Sequence, residues 1–209
     1  MIISDKRKFV FIHNPKTAGT SLRRALVKYH DREVSYWHHL EDIFLDRVID
    51  KAHITMRDFV HMPDYSSIDE YFSFGFVRNP YDRFYSAFQF YKKNNDISIS
   101  FNDFANNLNE INIRYDWRFI HFSPQYLFFY YGNKCKVDFI GRFENIKSDI
   151  LLVSSIIDID IDIDKSNVSD NSKPIYIDNY NENTVKIVNK LYERDFSLFH
   201  YQKIIYNDI

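Results

Sequence analysis

The stretch "FIHNPKTAGTSL", residues 11–22, places Lys16, Thr17, Gly19, Thr20 and Ser21 within a few positions of one another. Before it runs Phe9-Val10-Phe11-Ile12, an apolar block bounded by turn residues, which predicts a buried strand over 8–13. After it, Leu22, Ala25, Leu26 and Tyr29 recur at i, i+3, i+4 and i+7, one apolar face of a helix. A strand-to-helix turn presents backbone N–H groups and the positive end of a helix dipole, which suits a phosphate. The lysine precedes the glycine. In the Walker pattern, GxxxxGKS/T, it follows the glycine and adjoins the hydroxyl that holds magnesium. This loop lacks that arrangement, and no aspartate at a strand end is placed to hold a metal. The spacing therefore points to a phosphate held without a metal, with Lys16 reaching the oxygen that joins it to a transferred group. A sulfuryl group carries less charge than a phosphoryl and has less need of magnesium. On the loop alone, a plain polar turn with a surface lysine fits equally well.

A second turn of the same kind follows "FSFGFV", residues 72–77, which predicts another core strand. Asn79 suits a helix N-cap, Pro80 the first helical position, and Asp82 the negatively charged first turn. Phe84, Ala87, Phe88 and Tyr91 give the helix its buried stripe. Further helices are expected over 39–50, 101–109, 123–130, 145–156 and 182–194, and a third strand over 137–141. Strand, loop and helix in alternation predict an α/β fold, a central parallel sheet flanked by helices, in a single domain over 1–209. Ligands in such sheets sit beyond the carboxyl ends of the strands, where both polar turns fall. The tract Ile157–Asp164, "IDIDIDID", lacks the glycine and glutamate of a calcium loop and reads as an exposed edge strand or polar loop. Residues 165–174 are loop by composition.

The elements that must position these turns belong to an ordinary globular chain of 209 residues, 45% apolar and 27% charged. A net charge of −2 argues against a nucleic-acid coat. The lone Cys135 forms no internal disulfide, no apolar stretch approaches the roughly 20 residues of a membrane span, and no signal-type block follows the N-terminal charges. The expected location is cytoplasmic. The 16 Tyr and 20 Phe accompany abundant Ile, Asn and Lys, so they carry little weight as a sugar-binding signal.

Together, "FIHNPKTAGTSLRRAL" and "FSFGFVRNPYDRFYSAF" resemble the two cofactor signatures of sulfotransferases that use 3′-phosphoadenosine 5′-phosphosulfate (PAPS). "FSPQYL" and "VDFIGRFENI" are similar in spacing to the bacterial and carbohydrate-type branch, and "YNENTVKIVNKLYERDFSLFHY" to the family's closing helix. The resemblance implies a P-loop-like sulfotransferase fold. It implies that Lys16, Thr17, Ala18, Gly19, Thr20 and Ser21 bind the 5′-phosphosulfate, with Lys16 stabilising the leaving phosphate. It further implies that Arg78 and Ser86 grip the 3′-phosphate. Arginine suits that task by its planar fork of donors. Arg142 and Glu144, in "GRFE", match a position near the nucleotide; an internal Arg–Glu pair fits those two equally well.

Sulfuryl transfer to a hydroxyl requires a base, and histidine serves near neutral pH. Of eight histidines, His53 in "AHITMRDF" lies before the second cofactor strand, where the branch resembled carries a histidine followed by a small hydroxyl residue, so the resemblance implies His53 as the base, with His61 the second choice. His13 is read as shaping the loop. His38 and His39 are adjacent, so on a helix they face apart, and they either help bind substrate or lie on the surface. The predicted reaction moves a sulfuryl group from PAPS in line to an acceptor hydroxyl, on a saccharide by the branch resembled. A small-molecule kinase and an inactive nucleotide- or glycan-binding module are the competing readings; the missing GKS/T speaks against the first.

Overall fold

The computed structural model describes residues 1–33, 41–44, 47–108, 113, 116–163 and 177–206. Two compact units divide the chain, Met1–Val77 with Leu127–Ser169, and Arg78–Tyr126 with Asp170–Ile209. The predicted residues 38, 39 and 165–174 lie outside the described residues.

The first unit is built on a four-stranded sheet. Its strands are β1 (Ile2–Ser4), β2 (Phe9–Phe11), β5 (Phe72–Val77) and β8 (Phe139–Arg142), in the order β1-β2-β5-β8. β2, β5 and β8 run parallel, and β1 pairs antiparallel with β2 at the edge. Strand side chains alternate between faces. Phe9, Phe11, Phe74 and Phe76 therefore share one face, where they form a core with Leu22 and Leu26 of α1 (Gly19–Leu26) and with Ile146, Ile150, Val153 and Ile157 of α5 (Ile146–Ile157). On the other face, Val10 and Ile12 meet Met56 and Phe59 of α2 (Met56–Phe59) around a cavity of about 140 Å³. The predicted α/β architecture, a mostly parallel sheet flanked by helices, is the one observed.

Two local expectations need correction, and β1 and the aspartate tract add detail. Residues predicted as a helix over 39–50 instead form β3 (Glu41–Phe44) and β4 (Arg47–Asp50), paired antiparallel from Glu41↔Asp50 to Phe44↔Arg47. Val48 and Ile49 are β-branched and suit that pairing, whereas apolar spacing alone does not separate it from a short helix. The helix expected over 123–130 is a 3-10 turn at Gln125–Phe128 followed by β6 (Tyr130–Tyr131) and β7 (Lys134–Cys135). Gly132-Asn133 between these strands, with Gly132 at φ 60°, is a hairpin signal. β1 was not foreseen at all. In the aspartate tract, expected as an exposed edge strand or a polar loop, Ile159 and Ile161 are buried, Asp158, Asp160 and Asp162 are exposed, and no ladder forms among the described residues, so the loop reading holds. The alternation thus seats an extended loop on the core.

The second unit contains α3 (Pro80–Asn95), α4 (Phe101–Asn107), α6 (Glu182–Leu191) and α7 (Glu193–Leu198). Its core is a web of rings from Tyr81, Phe84, Phe88, Phe101, Phe104 and Phe122, closed by Val185, Val188, Tyr192 and Phe196. Phe84 meets Phe101 and Phe122 edge-on at 5.6 Å, a favourable aromatic geometry. Helix α3 starts as its sequence dictates, with the Asn79 side chain accepting the Tyr81 amide at 3.0 Å and Pro80 in the first turn.

Candidate functional site

The turn after β2 follows from its own residues. Lys16 and Ala18 adopt left-handed φ angles of 67° and 62°, while Thr17 between them does not. Such conformations cost on the order of 1 kcal/mol or more for a residue with a side chain, and they concentrate at binding and catalytic turns. An alternation of this kind curls successive amides around one concavity, an anion nest. Thr17 Oγ1 donates to the Asn14 carbonyl at 2.8 Å and closes the turn. Ala18, the N-cap of α1, has no side chain with which to cap it, and no acidic residue lies in the first turn. The exposed Thr20 and the half-buried Lys16 flank this helix start. A cation, backbone amides and hydroxyls make a donor set suited to a phosphate or phosphosulfate.

His13 and Asn14 tie this turn to its surroundings. Asn14 Nδ2 donates to the Phe76 carbonyl of β5 at 2.9 Å, which docks the turn on the neighbouring parallel strand. The buried His13 ring lies against Gly19, where a Cβ would stand 2.0 Å from His13 Cδ2. Only glycine permits that approach.

His53 ends a 3-10 turn at Lys51–His53 and is buried. Asp50 fixes the start of this turn by accepting the Ala52 amide at 2.8 Å. The His53 ring lies 4.2 Å from that of His13, and its Nδ1 is 3.1 Å from the His13 carbonyl oxygen. A carbonyl only accepts, so Nδ1 carries a proton in this bond, and the neutral form with that tautomer has its lone pair on Nε2. His61, the second choice, is exposed and edge-on to Tyr131 at 6.0 Å.

Arg142 ends β8 in register with Val77 of β5, and its amide donates to Asp149 Oδ2 at 2.7 Å. Glu144 is exposed. The first unit thus holds Lys16, Thr17, Ala18, Gly19, Thr20, Ser21, His53 and Arg142. The cavity beside Val10 and Ile12 is lined also by Tyr71, Ser73 and Asp138, at the opposite, amino-terminal ends of β5 and β8.

Arg78 and Ser86 belong to the second unit. The Arg78 guanidinium pairs with Asp82, Nη2 at 2.9 Å and Nε at 3.2 Å from Oδ2. Its amide donates to Gln125 Oε1 at 2.9 Å, and its carbonyl accepts from Gln125 Nε2 at 2.8 Å. Ser86 is half-buried on α3. Gln125 is buried in turn, with its own amide and that of Tyr126 donating to Asp195 at 2.7 and 2.9 Å. Burial pushes the Asp195 carboxyl up to about 6, against the pull of those two amides and of Arg83. Arg83 is itself buried, which lowers its pKa, and donates to the Ser123 carbonyl at 2.9 Å.

Sequence reasoning passed over Asn14, Asp82 as a partner of Arg78, and Gln125. The i, i+4 spacing of Arg78 and Asp82 was a usable signal. Gln125 and Asp195 had none, since their partners lie far away in sequence.

No curated protein and no solved structure gives a significant match to the chain. The model of the Sulfotransferase family matches residues 1–202, which run through both units and both polar turns. The chain belongs to the sulfotransferase family.

Proposed function

We propose that this sulfotransferase uses PAPS as donor and an acceptor hydroxyl on a saccharide, with His53 as base, and that residues 1–209 act as one catalytic domain. The observation that carries the reading is the left-handed winding of the turn at Lys16 and Ala18 ahead of an uncapped helix start. Lys16, Thr17, Ala18, Gly19, Thr20 and Ser21 would hold the 5′-phosphosulfate, and Arg78, Ser86 and Arg142 the remainder of the nucleotide. Bound PAPS supplies a sulfuryl group on a phosphate leaving group. Lys16 and the turn amides take up the negative charge that grows on that phosphate, a preorganised electrostatic contribution. His53 Nε2 takes the proton of the acceptor hydroxyl, its ring oriented by the His13 carbonyl. The one-domain reading rests on the family match across both units. The saccharide rests on the likeness of "FSPQYL" and "VDFIGRFENI" to the carbohydrate-type branch.

Melting in the presence of PAP, the desulfated donor, tests the nucleotide. At about 100 times its Kd, PAP stabilises the chain by about 2.7 kcal/mol. ATP with magnesium stabilises it less. The reverse ranking would favour a kinase. Transfer from labelled PAPS to a sugar, a small alcohol and a tyrosyl peptide tests the acceptor, with the sugar expected to win. PAP binding without turnover on any acceptor would leave a binding module.

A further inference from the structure

β5 ends at Val77 and α3 begins at Pro80, so the peptide groups of Arg78 fall between a ladder and a helix. Backbone groups in such a gap still require partners. Gln125, 47 residues away, supplies both, accepting from the Arg78 N–H at 2.9 Å and donating to its C=O at 2.8 Å. The pairing fixes the carboxamide one way round, because a flipped amide would set oxygen against oxygen and nitrogen against nitrogen. Gln125 is fully buried, and Asp195, also fully buried on α7, accepts the amides of both Gln125 and Tyr126.

We propose that Gln125, seated by Asp195, is a positioning residue for Arg78. The inference rests on the reading of Arg78 as an anion ligand. Gln125 holds the peptide from which the side chain departs, and Asp82 holds the guanidinium at 2.9 Å. Both ends of Arg78 are thereby fixed. A planar cation held in this way loses little side-chain freedom when it meets a phosphate, which is the gain from preorganisation. Gln125 itself need not touch the ligand.

The test is the Kd for PAP, measured by calorimetry on the wild type, Arg78→Ala, Gln125→Met and the double variant, each shown to be folded by its melting curve. Arg78→Ala weakens PAP by about 30-fold or more, the range for charged hydrogen bonds, and Gln125→Met by about tenfold. In the Arg78→Ala background Gln125→Met adds no more than about a further twofold, because the group it positions is gone. A merely structural role predicts the same factor in both backgrounds, and that result overturns the proposal. Should Gln125→Met not fold, Gln125→Glu keeps the bond from the Arg78 N–H and loses the one to its carbonyl, for an expected loss of about threefold. Wild-type affinity in whichever Gln125 variant folds also overturns it. If the wild type fails to bind PAP, the reading of the site itself falls. If the wild type binds, Arg78→Ala fails and the Gln125 variants bind normally, only the role of Gln125 falls.

Discussion

In the turn after β2, the bonds within the turn reach three or four residues along the chain, from Thr17 to Asn14 and from Ser21 and Leu22 to Ala18, and the Asn14 side chain docks the finished turn on Phe76. In the turn after β5, Arg78 is held by Gln125, 47 residues away, which is held by Asp195, 70 residues further off. Both turns end a parallel strand and open a helix. The first is shaped by its own backbone, with two left-handed residues and a glycine under a histidine ring. The second has an ordinary N-cap and a local Arg78–Asp82 pair, and the Arg78 backbone borrows its order from buried polar groups elsewhere in its unit. A turn that carries its conformation locally can be read from its residues; one stabilised from a distance shows only its ends.

The sharpest way to break this comparison is at Lys16. Lys16→Ala removes the cation but keeps a side chain in the same left-handed conformation, so the local shape survives. Turnover should fall by about 10³-fold, as for loss of a charge-stabilising donor, while the melting temperature stays within about 2 °C. Near wild-type turnover would remove the first turn from the chemistry.

The distant support of the second turn is tested by pH. The Asp195 carboxyl, raised by burial to about 6, binds its proton more tightly in the native chain than in the unfolded one. Its contribution to stability is therefore fully present below the ordinary carboxylate range near 4, is lost as pH rises to about 6, and is flat above. Groups such as Asp5, held low by hydrogen bonds from Arg32, slope the other way. They are common to wild type and Asp195→Asn, so the difference between the two isolates Asp195. That difference should fall by on the order of 3 kcal/mol between pH 4 and 7, followed by urea unfolding. A difference independent of pH would mean that Asp195 is ionised throughout and that its amides and Arg83 outweigh its burial.

The same division explains what the sequence disclosed. β2, β5, α1, α3 and α5 announced themselves because apolar period, cap and turn residues all lie within the element. Lys16 and Gly19 stood out for that reason, Arg78 only through the resemblance of its stretch to a cofactor signature, and Asn79 and Pro80 marked the helix start where it occurs. The hairpin β3–β4 was taken for a helix, because its pairing is a contact between two strands and not a property of either. The tract holding Ile159 and Ile161 was open between an edge strand and a loop, since alternation does not say whether a ladder is available. Gln125 is a lone amide in "FSPQYL", and nothing near it names Arg78 as its partner. His53 stood out among the histidines by its neighbours, whereas its bond to the His13 carbonyl spans 40 residues and needed the fold.

Gly19→Ala probes how tightly the first turn is built. The new Cβ would fall 2.0 Å from His13 Cδ2 and 2.1 Å from Nε2, so the buried ring, with that of His53 only 4.2 Å away, must shift. Overpacking of this kind costs about 2 kcal/mol, which is about 4–8 °C in melting temperature at this chain length. Turnover should drop as well, since His13 and His53 are packed together. An unchanged melting temperature would show a pliant turn and weaken the contrast with the second.

The smallest effect is expected at Asn79, the local contact of the second turn. Its side chain accepts the Tyr81 amide at 3.0 Å, and Asn79→Ala removes that cap. Asn79 is half-buried, so water can replace the lost acceptor, and Pro80 already presets the first helical φ. The cost should be about 1 kcal/mol, or about 2–4 °C, with PAP affinity unchanged. Gln125→Met removes two hydrogen bonds to the Arg78 backbone and the polar group of a fully buried side chain, at about 1 kcal/mol for each bond, so it should destabilise more than Asn79→Ala. If Asn79→Ala proves the more damaging of the two, the second turn is held locally after all, and the distinction between the turns must be redrawn.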